Sequence, residues 1–151
     1  SGSGMEEVVF LVSGHPGSTP RPVGKVASGG ELSRIALAIA VTTSQLGTAG
    51  TLIFDEVDAG VGGAAAIEVG RRLANLAKFA QVIVVTHLGQ VAAFASKHLR
   101  VLKTVDDSYT ASDVITLEGE PRIEEIARML AGHEDSESAR KHAEELIAES
   151  R

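Results

Sequence analysis

Two short apolar segments, separated by a stretch long enough for one helix, constrain the fold of this chain most strongly. Thr51–Asp55 and Gln81–Thr86 each have the length and composition of a buried strand. Between them, apolar residues at helical spacing predict a helix over Ala64–Phe79. A strand, a helix and a second strand in this order are typical of a βαβ unit. We therefore expect an α/β fold with a parallel sheet flanked by helices.

The rest of the chain is predicted to form one domain around this unit. Residues 13–27 contain three prolines and several glycines, which predicts a long loop. Three further strands are expected, at Val8–Val12 and in a hairpin of Leu99–Val105 and Ser112–Leu117. Four further helices are expected: a mostly buried one from Glu31 to about Leu46, a short one at Val91–Ser96, one from Pro121 to Leu130 that Gly132 ends, and a terminal one over Ser136–Glu149.

Composition excludes several classes of protein. The chain has no cysteine, so it contains neither a disulfide scaffold nor a thiolate metal site. No apolar run reaches the roughly 18 residues of a membrane span, and no signal peptide is recognisable, so a cytoplasmic protein without membrane contact is expected. The formal net charge of −6 argues against a broad nucleic-acid-binding face but leaves a local one open.

Ser1–Gly4 is typical of a linker or a cloning scar, which leaves residues 5–151 as the domain.

An acidic pair follows the first predicted strand. Asp55 and Glu56 would lie at the carboxyl edge of the sheet, where α/β folds bind their ligands. Asp55 could hold Mg²⁺ directly or through water, because magnesium prefers oxygen ligands. Glu56 could orient or deprotonate an attacking water. Taken alone, such a pair is more often a solvated strand end.

A glycine pair stands where a helix is predicted to begin. In Ser28-Gly29-Gly30-Glu31, residues without a Cβ would let the backbone approach an anion, and free N–H groups with the helix dipole would attract phosphate. Ser28 and Glu31 also have the spacing of a capping box. The two roles are compatible.

A histidine follows the second strand of the unit. The imidazole of His87 could donate or accept a hydrogen bond to a γ-phosphate or to the attacking water. A structural histidine is the simpler interpretation of His87 alone, and no second ligand at metal-binding spacing accompanies it. Together, however, the three features in this order predict a nucleotide site. The Gly-x-x-x-x-Gly-Lys-Ser/Thr motif that would cradle the other phosphates is absent, so we expect half of an ATP-handling unit.

Longer segments around these residues resemble one protein family. The segments are Lys25–Arg34, Phe54–Gly63 and Thr86–Ala93, with further likeness at Glu125–Leu130 and His142–Leu146. They resemble the RecN family, bacterial DNA-repair relatives of the SMC proteins with an ABC-type ATPase head. Within that head, Ala27–Glu31 resembles the signature motif, Thr51–Glu56 Walker B, Val57–Gly63 the D-loop and His87 the switch histidine. SMC proteins commonly carry an aspartate where this chain has Gly62, which favours RecN over a true SMC protein.

The resemblance implies a particular architecture. The chain would be the C-terminal lobe of a P-loop NTPase-like head, joined to an N-terminal Walker A lobe through a long antiparallel coiled coil. Two heads would form a homodimer around two ATP molecules. The full protein would bind DNA in double-strand break repair, in the bacterial cytoplasm at the nucleoid.

The same resemblance implies residue roles. Asp55 would be the Mg²⁺-side carboxylate, Glu56 the catalytic carboxylate and His87 the γ-phosphate sensor. Ser28, Gly29, Gly30 and Glu31 would contact the ATP held by the partner head. Because the phosphate cradle lies elsewhere, the isolated chain is expected to lack ATPase activity.

Two alternatives stay open. The chain could be a DNA-binding or assembly module, using the basic residues Arg21, Lys25 and Arg34, although a solvated surface is the more common explanation of such a cluster. A steep salt dependence of DNA affinity would favour this module. The chain could also be the matching lobe of another SMC-like or ABC-type head.

Overall fold

The predicted βαβ unit forms the centre of the fold. A computed structural model describes residues 4, 8–13, 17–25, 29–43, 50–106, 109–132 and 136–150. Its elements are β1 (Leu11–Val12), β2 (Arg21–Pro22), a 3₁₀ turn (Val23–Lys25), α1 (Gly29–Thr43), β3 (Thr51–Asp55), α2 (Gly63–Leu76), β4 (Gln81–Val85), α3 (Gly89–Ala92), β5 (His98–Asp106), β6 (Tyr109–Leu117), α4 (Gly119–Ala131) and α5 (Glu137–Glu149).

Strands β3 and β4 pair in parallel, with α2 as the crossover between them. The register runs from Thr51 opposite Gln81 to Asp55 opposite Val85, which confirms the expected parallel pairing. One face of the pair packs against α1 and α2, and a core cluster there includes Leu37, Phe54 and Leu73. Leu52, Val82 and Val84 pack against that cluster from the same face.

The opposite face of the strand pair is uncovered. Ile53 is 70% exposed, Ile83 45% and Val85 59%. Helix α1 is similarly one-sided, with Leu37 buried but Leu32 40% and Ile39 45% exposed. The predictions of buried strands and of a mostly buried helix are therefore wrong for this chain, because apolar side chains on these faces stay exposed to solvent.

A second core joins the C-terminal helices to α2. Phe94, Ile126, Ala143 and Leu146 are buried in it together with three alanines, which are Ala92 at the end of α3, Ala93 directly after it and Ala127 in α4. Helix α4 ends at Gly132, as predicted, because Gly132 takes a left-handed conformation with φ of 76°. The Ser136 hydroxyl caps α5 by accepting a hydrogen bond from the Ala139 N–H at 3.2 Å.

Several predicted elements differ in extent, among them the short helix, which covers Gly89–Ala92 and not Val91–Ser96. The hairpin β5–β6 is longer than expected and pairs antiparallel from His98–Leu117 to Asp106–Tyr109. At the start of the chain, regular pairing covers only Leu11 and Val12, which pair with Arg21 and Pro22 inside the predicted loop. Within the described part of the chain, no helix is both long and apolar enough to cross a membrane.

Candidate functional site

Three segments meet at the carboxyl edge of the parallel pair. They are the first turn of α1, the turn that follows β3 and the loop that follows β4. Asp55 and Glu56 are exposed at the end of β3, and the His87 side chain is 75% exposed just beyond β4. Asp55, Glu56 and His87 therefore share one edge of the sheet, as the parallel pairing requires.

The backbone of Glu56 is unusual. Among the described residues, it is the one non-glycine with a positive φ, at 54°. Its carbonyl oxygen accepts a hydrogen bond from the Ala59 N–H at 3.1 Å, which closes a tight turn directly after the strand. A left-handed conformation costs free energy for a residue with a Cβ, and such strain is concentrated at functional sites.

Helix α1 is fastened to this turn by two side chains. The Ser33 hydroxyl donates to the carbonyl oxygen of Asp55 at 2.6 Å. Arg34 Nη1 donates to the carbonyl of Ala59 at 2.6 Å and lies 3.5 Å from that of Val57. A solvated surface was the expected role of the basic cluster, but Arg34 is half-buried and binds backbone carbonyls.

The glycine pair has two different environments. A Cβ added to Gly30 would lie 2.6 Å from the Ala59 Cβ and 3.0 Å from the carbonyl oxygen of Glu56, so packing within the chain requires this glycine. Gly29 is exposed, and a Cβ there would lie 3.0 Å from Glu56 Oε2. Ser28, and with it the predicted capping box, lies outside the described residues, whereas Glu31 is exposed in the first turn.

A further carboxylate joins two of the three segments. Asp58 is 1% exposed, and its Oδ2 accepts hydrogen bonds from the Thr86 hydroxyl and, at 3.2 Å, from the His87 N–H. His87 Nδ1 lies 3.5 Å from the same oxygen. The sequence motifs did not predict an individual role for Asp58. The available signal was a third acid in a short loop of apolar residues and glycines, because a carboxylate buried there needs a polar partner.

Asp55 is the residue at this edge that could hold a hydrated Mg²⁺. The described residues contain no group of three or more His, Asp or Glu side chains that could hold a metal ion. Magnesium usually keeps several waters and takes one or two carboxylates together with phosphate oxygens. Asp55, exposed at a strand end, suits that type of coordination.

These features define an α/β domain with an acidic turn, a glycine-initiated helix and a histidine loop at one sheet edge. No protein-family model matches the chain. The chain is 60% identical over 149 residues to the DNA repair protein RecN of Streptomyces coelicolor, which covers 99% of this chain and 26% of that protein. It is 54% identical over 147 residues to RecN of Mycobacterium tuberculosis, an alignment that covers 95% of this chain and 25% of that protein. Identity to RecN of Deinococcus radiodurans is 50% over 145 residues, and the alignment covers 96% of this chain and 25% of that protein.

The chain belongs to the RecN family, as its motifs predicted. It spans about a quarter of the length of these relatives and matches their C-terminal portion. Among solved structures, a chain from work on ATP-driven dimerisation and DNA-stimulated activation of SMC ATPases is 28% identical, with a TM-score of 0.49. The similarity covers 70% of this chain and 62% of that one. The family assignment rests on the sequence relatives.

Proposed function

We propose that residues 5–151 are the C-terminal lobe of an ABC-type ATPase head in a DNA double-strand break repair protein. The observation that carries the proposal is the meeting of Asp55, Glu56 and His87 with the first turn of α1 at one sheet edge. A nucleotide site needs groups of these types close together, for the metal, the attacking water and the γ-phosphate.

Each side chain has a distinct part in hydrolysis. Asp55 holds Mg²⁺, directly or through water, and the ion when bound neutralises charge on the phosphate oxygens. Glu56 orients the attacking water and accepts its proton, while His87 senses the γ-phosphate by accepting a hydrogen bond from the water that attacks it. The fixed turn around Glu56 supports this role, since a general base must be held within hydrogen-bond reach of its water.

An N-terminal Walker A lobe is the proposed partner within the same protein. The motif that cradles the remaining phosphates is absent from this sequence. The uncovered face of the strand pair supports such a partner, because Ile53, Ile83 and Val85 together leave a contiguous apolar surface. Strand β4 pairs with β3 alone among the described strands, so its other edge can accept a further strand.

A second copy of the head completes the proposed unit. Ser28, Gly29, Gly30 and Glu31 contact the ATP held by that copy, so nucleotide binding favours a homodimer. Hydrolysis removes the bridging phosphate and shifts the population back to separate heads. The exposed position of Gly29 at the start of α1 is consistent with such a contact. DNA binding by the full protein, at the bacterial nucleoid, belongs to the same proposal.

The test of this proposal is Glu56→Gln in the complete protein. The amide cannot accept the proton of the attacking water, so steady-state ATP hydrolysis is expected to fall by about 10²- to 10⁴-fold. ATP binding and ATP-dependent dimerisation, measured by filter binding and light scattering, are expected to persist. The isolated chain is expected to show no turnover.

Glu145→Gln is the matched control, because Glu145 is exposed on α5 away from the edge. It should hydrolyse ATP at the wild-type rate. Near-normal hydrolysis by Glu56→Gln would contradict the proposal. So would robust turnover by rigorously purified isolated chain that Glu56→Gln abolishes, since the chain would then need no partner lobe.

A further inference from the structure

Asp58 links the two loops that carry the proposed catalytic groups. It stands two residues after Glu56, and its carboxylate reaches the loop after β4. One oxygen, Oδ2, accepts hydrogen bonds from the Thr86 hydroxyl and from the His87 N–H. The same oxygen lies 3.5 Å from His87 Nδ1. The Thr86 hydroxyl oxygen in turn accepts the Leu88 N–H at 3.1 Å. Asp58, in the turn that follows Glu56, thus fixes the backbone on both sides of His87.

The choice of a carboxylate here needs an explanation. A buried carboxylate loses several kcal/mol of solvation, and a neutral amide could satisfy the same hydroxyl and N–H donors. Among the ion pairs of the described residues, the partner of Asp58 is His87. A carboxylate next to an imidazole nitrogen fixes which nitrogen carries the proton and which way the ring faces.

We propose that Asp58 is a positioning residue that orients His87. Its carboxylate accepts a hydrogen bond from the Nδ1–H of the ring, so Nε2 faces away from Asp58 toward solvent, where it would accept a hydrogen bond from the attacking water. Without this partner, a side chain that is 75% exposed would occupy several rotamers. The same contact keeps the histidine loop in register with the turn that carries Glu56. The inference rests on the proposed role of His87 in hydrolysis.

The kinetic test uses the complete protein. Asp58→Ala is expected to lower kcat for ATP hydrolysis by about 10- to 100-fold, the range known for the hydrogen-bonding partners that orient metal-binding histidines. The KM for ATP should change much less than kcat. Asp58→Asn, which retains an oxygen acceptor for Thr86 and for the His87 N–H, should lose less, and it tests the idea if Asp58→Ala does not fold. Asp113→Ala, an exposed aspartate on β6, is the control and should match wild type.

A double-mutant cycle separates positioning from general stability. If Asp58 acts through His87, then Asp58→Ala combined with His87→Ala should hydrolyse ATP no more slowly than His87→Ala alone. Losses that multiply in the double variant would overturn the inference. Unchanged kcat per folded molecule in both Asp58 variants would overturn it as well.

NMR of ¹⁵N-histidine in this chain tests the geometry independently of ATP hydrolysis. At a pH where the ring is neutral, His87 should carry its proton on Nδ1, and Asp58→Ala should move it to Nε2. The same tautomer in both proteins would overturn the inference. If Glu56→Gln does not reduce hydrolysis and yet the tautomer changes, then the ATPase proposal fails while the Asp58–His87 contact stands.

Discussion

At the scale of single residues, Gly30 and Glu56 depend on each other. The carbonyl oxygen of Glu56 and the side chain of Ala59 occupy the space where a Cβ of residue 30 would lie. The left-handed turn at Glu56 therefore forms against a helix that has no side chain at that point. This is a packing reason for the glycine, and it operates without any bound phosphate.

Gly30→Ala is expected to destabilise the chain by about 1–3 kcal/mol, the usual cost of forcing extra atoms into a packed contact. Urea unfolding followed by circular dichroism measures this change. Gly29→Ala is the matched control, because among the described residues its Cβ would meet the flexible end of the Glu56 side chain and no backbone atom. Equal midpoints for the two variants would show that the close approach at Gly30 does not constrain the fold.

The sequence predicted Asp55, Glu56 and His87 as neighbours because each follows a strand, and the ends of parallel strands meet at one edge. It did not predict the roles of Ser33, Arg34 or Asp58. Their partners are backbone carbonyls and a loop 22 to 29 residues away, and such contacts depend on how the loops pack. The spacing of residues along the sequence does not predict how the loops pack.

At the scale of elements, an ionic cluster joins β5 to α4. Glu125 is buried and binds Arg128 at 2.6 Å on its own helix and Arg100 at 3.1 Å on β5. The hydrogen bond from Arg128 lowers the pKa of Glu125 despite the opposing effect of burial. Burial also lowers the pKa of half-buried His98, and the positive charge of Arg122 adds to the effect.

Both pKa shifts predict that stability falls on acidification. His98 has a folded-state pKa below its ordinary 6.5, so its contribution is complete above about pH 6.5 and is lost as pH falls through the lower value. The lowered pKa of Glu125 has the same effect. Its contribution to stability is complete above its ordinary pKa of 4.5 and is lost at more acidic pH. Urea midpoints measured from about pH 8 to about pH 2.5 should therefore decline in two stages.

His98→Gln should remove the first stage and leave the second. His142→Gln serves as the control, because His142 is exposed on α5. An undiminished decline between pH 7 and pH 5 in His98→Gln would assign that stage to other groups.

Element boundaries were predictable to different degrees. The limits of β3 and the end of α4 follow from local signals, namely a polar strand end and a glycine that can adopt positive φ. The strand at the start of the chain and the hairpin were not delimited well. Strand length is set by which backbone groups find partners, and apolar pattern alone does not specify the partner.

At the scale of the whole molecule, the uncovered face of β3 and β4 is the main departure from a self-contained domain. Neighbouring residues of β4 lie on opposite faces, so Val84 packs against the core while Val85 is 59% exposed. The sequence predicted the positions of both strands but not that one face would be exposed. An apolar strand has the same composition whether its packing partner lies in the same chain or in another.

The same substitution at these two positions distinguishes the faces. Val84→Thr should destabilise this chain by about 1–3 kcal/mol because it buries a hydroxyl, whereas Val85→Thr should change stability by less than about 0.5 kcal/mol. In the complete protein, Val85→Thr should become destabilising if the N-terminal lobe covers this face. Urea unfolding of both variants in both contexts gives the comparison, and equal losses in the isolated chain would contradict an uncovered face.

The hydrogen bonds that hold the functional edge of the sheet together join residues that are close in the sequence. Ser33 and Asp55 are 22 residues apart, and Asp58 and Thr86 are 28 apart, whereas the ion pair between Arg71 and Glu149 that joins α2 to α5 spans 78. Shorter loops lose less entropy on closure and tend to form sooner. During synthesis on the ribosome, this edge could therefore take shape as soon as the loop after β4 has emerged, before the two C-terminal helices are available to pack.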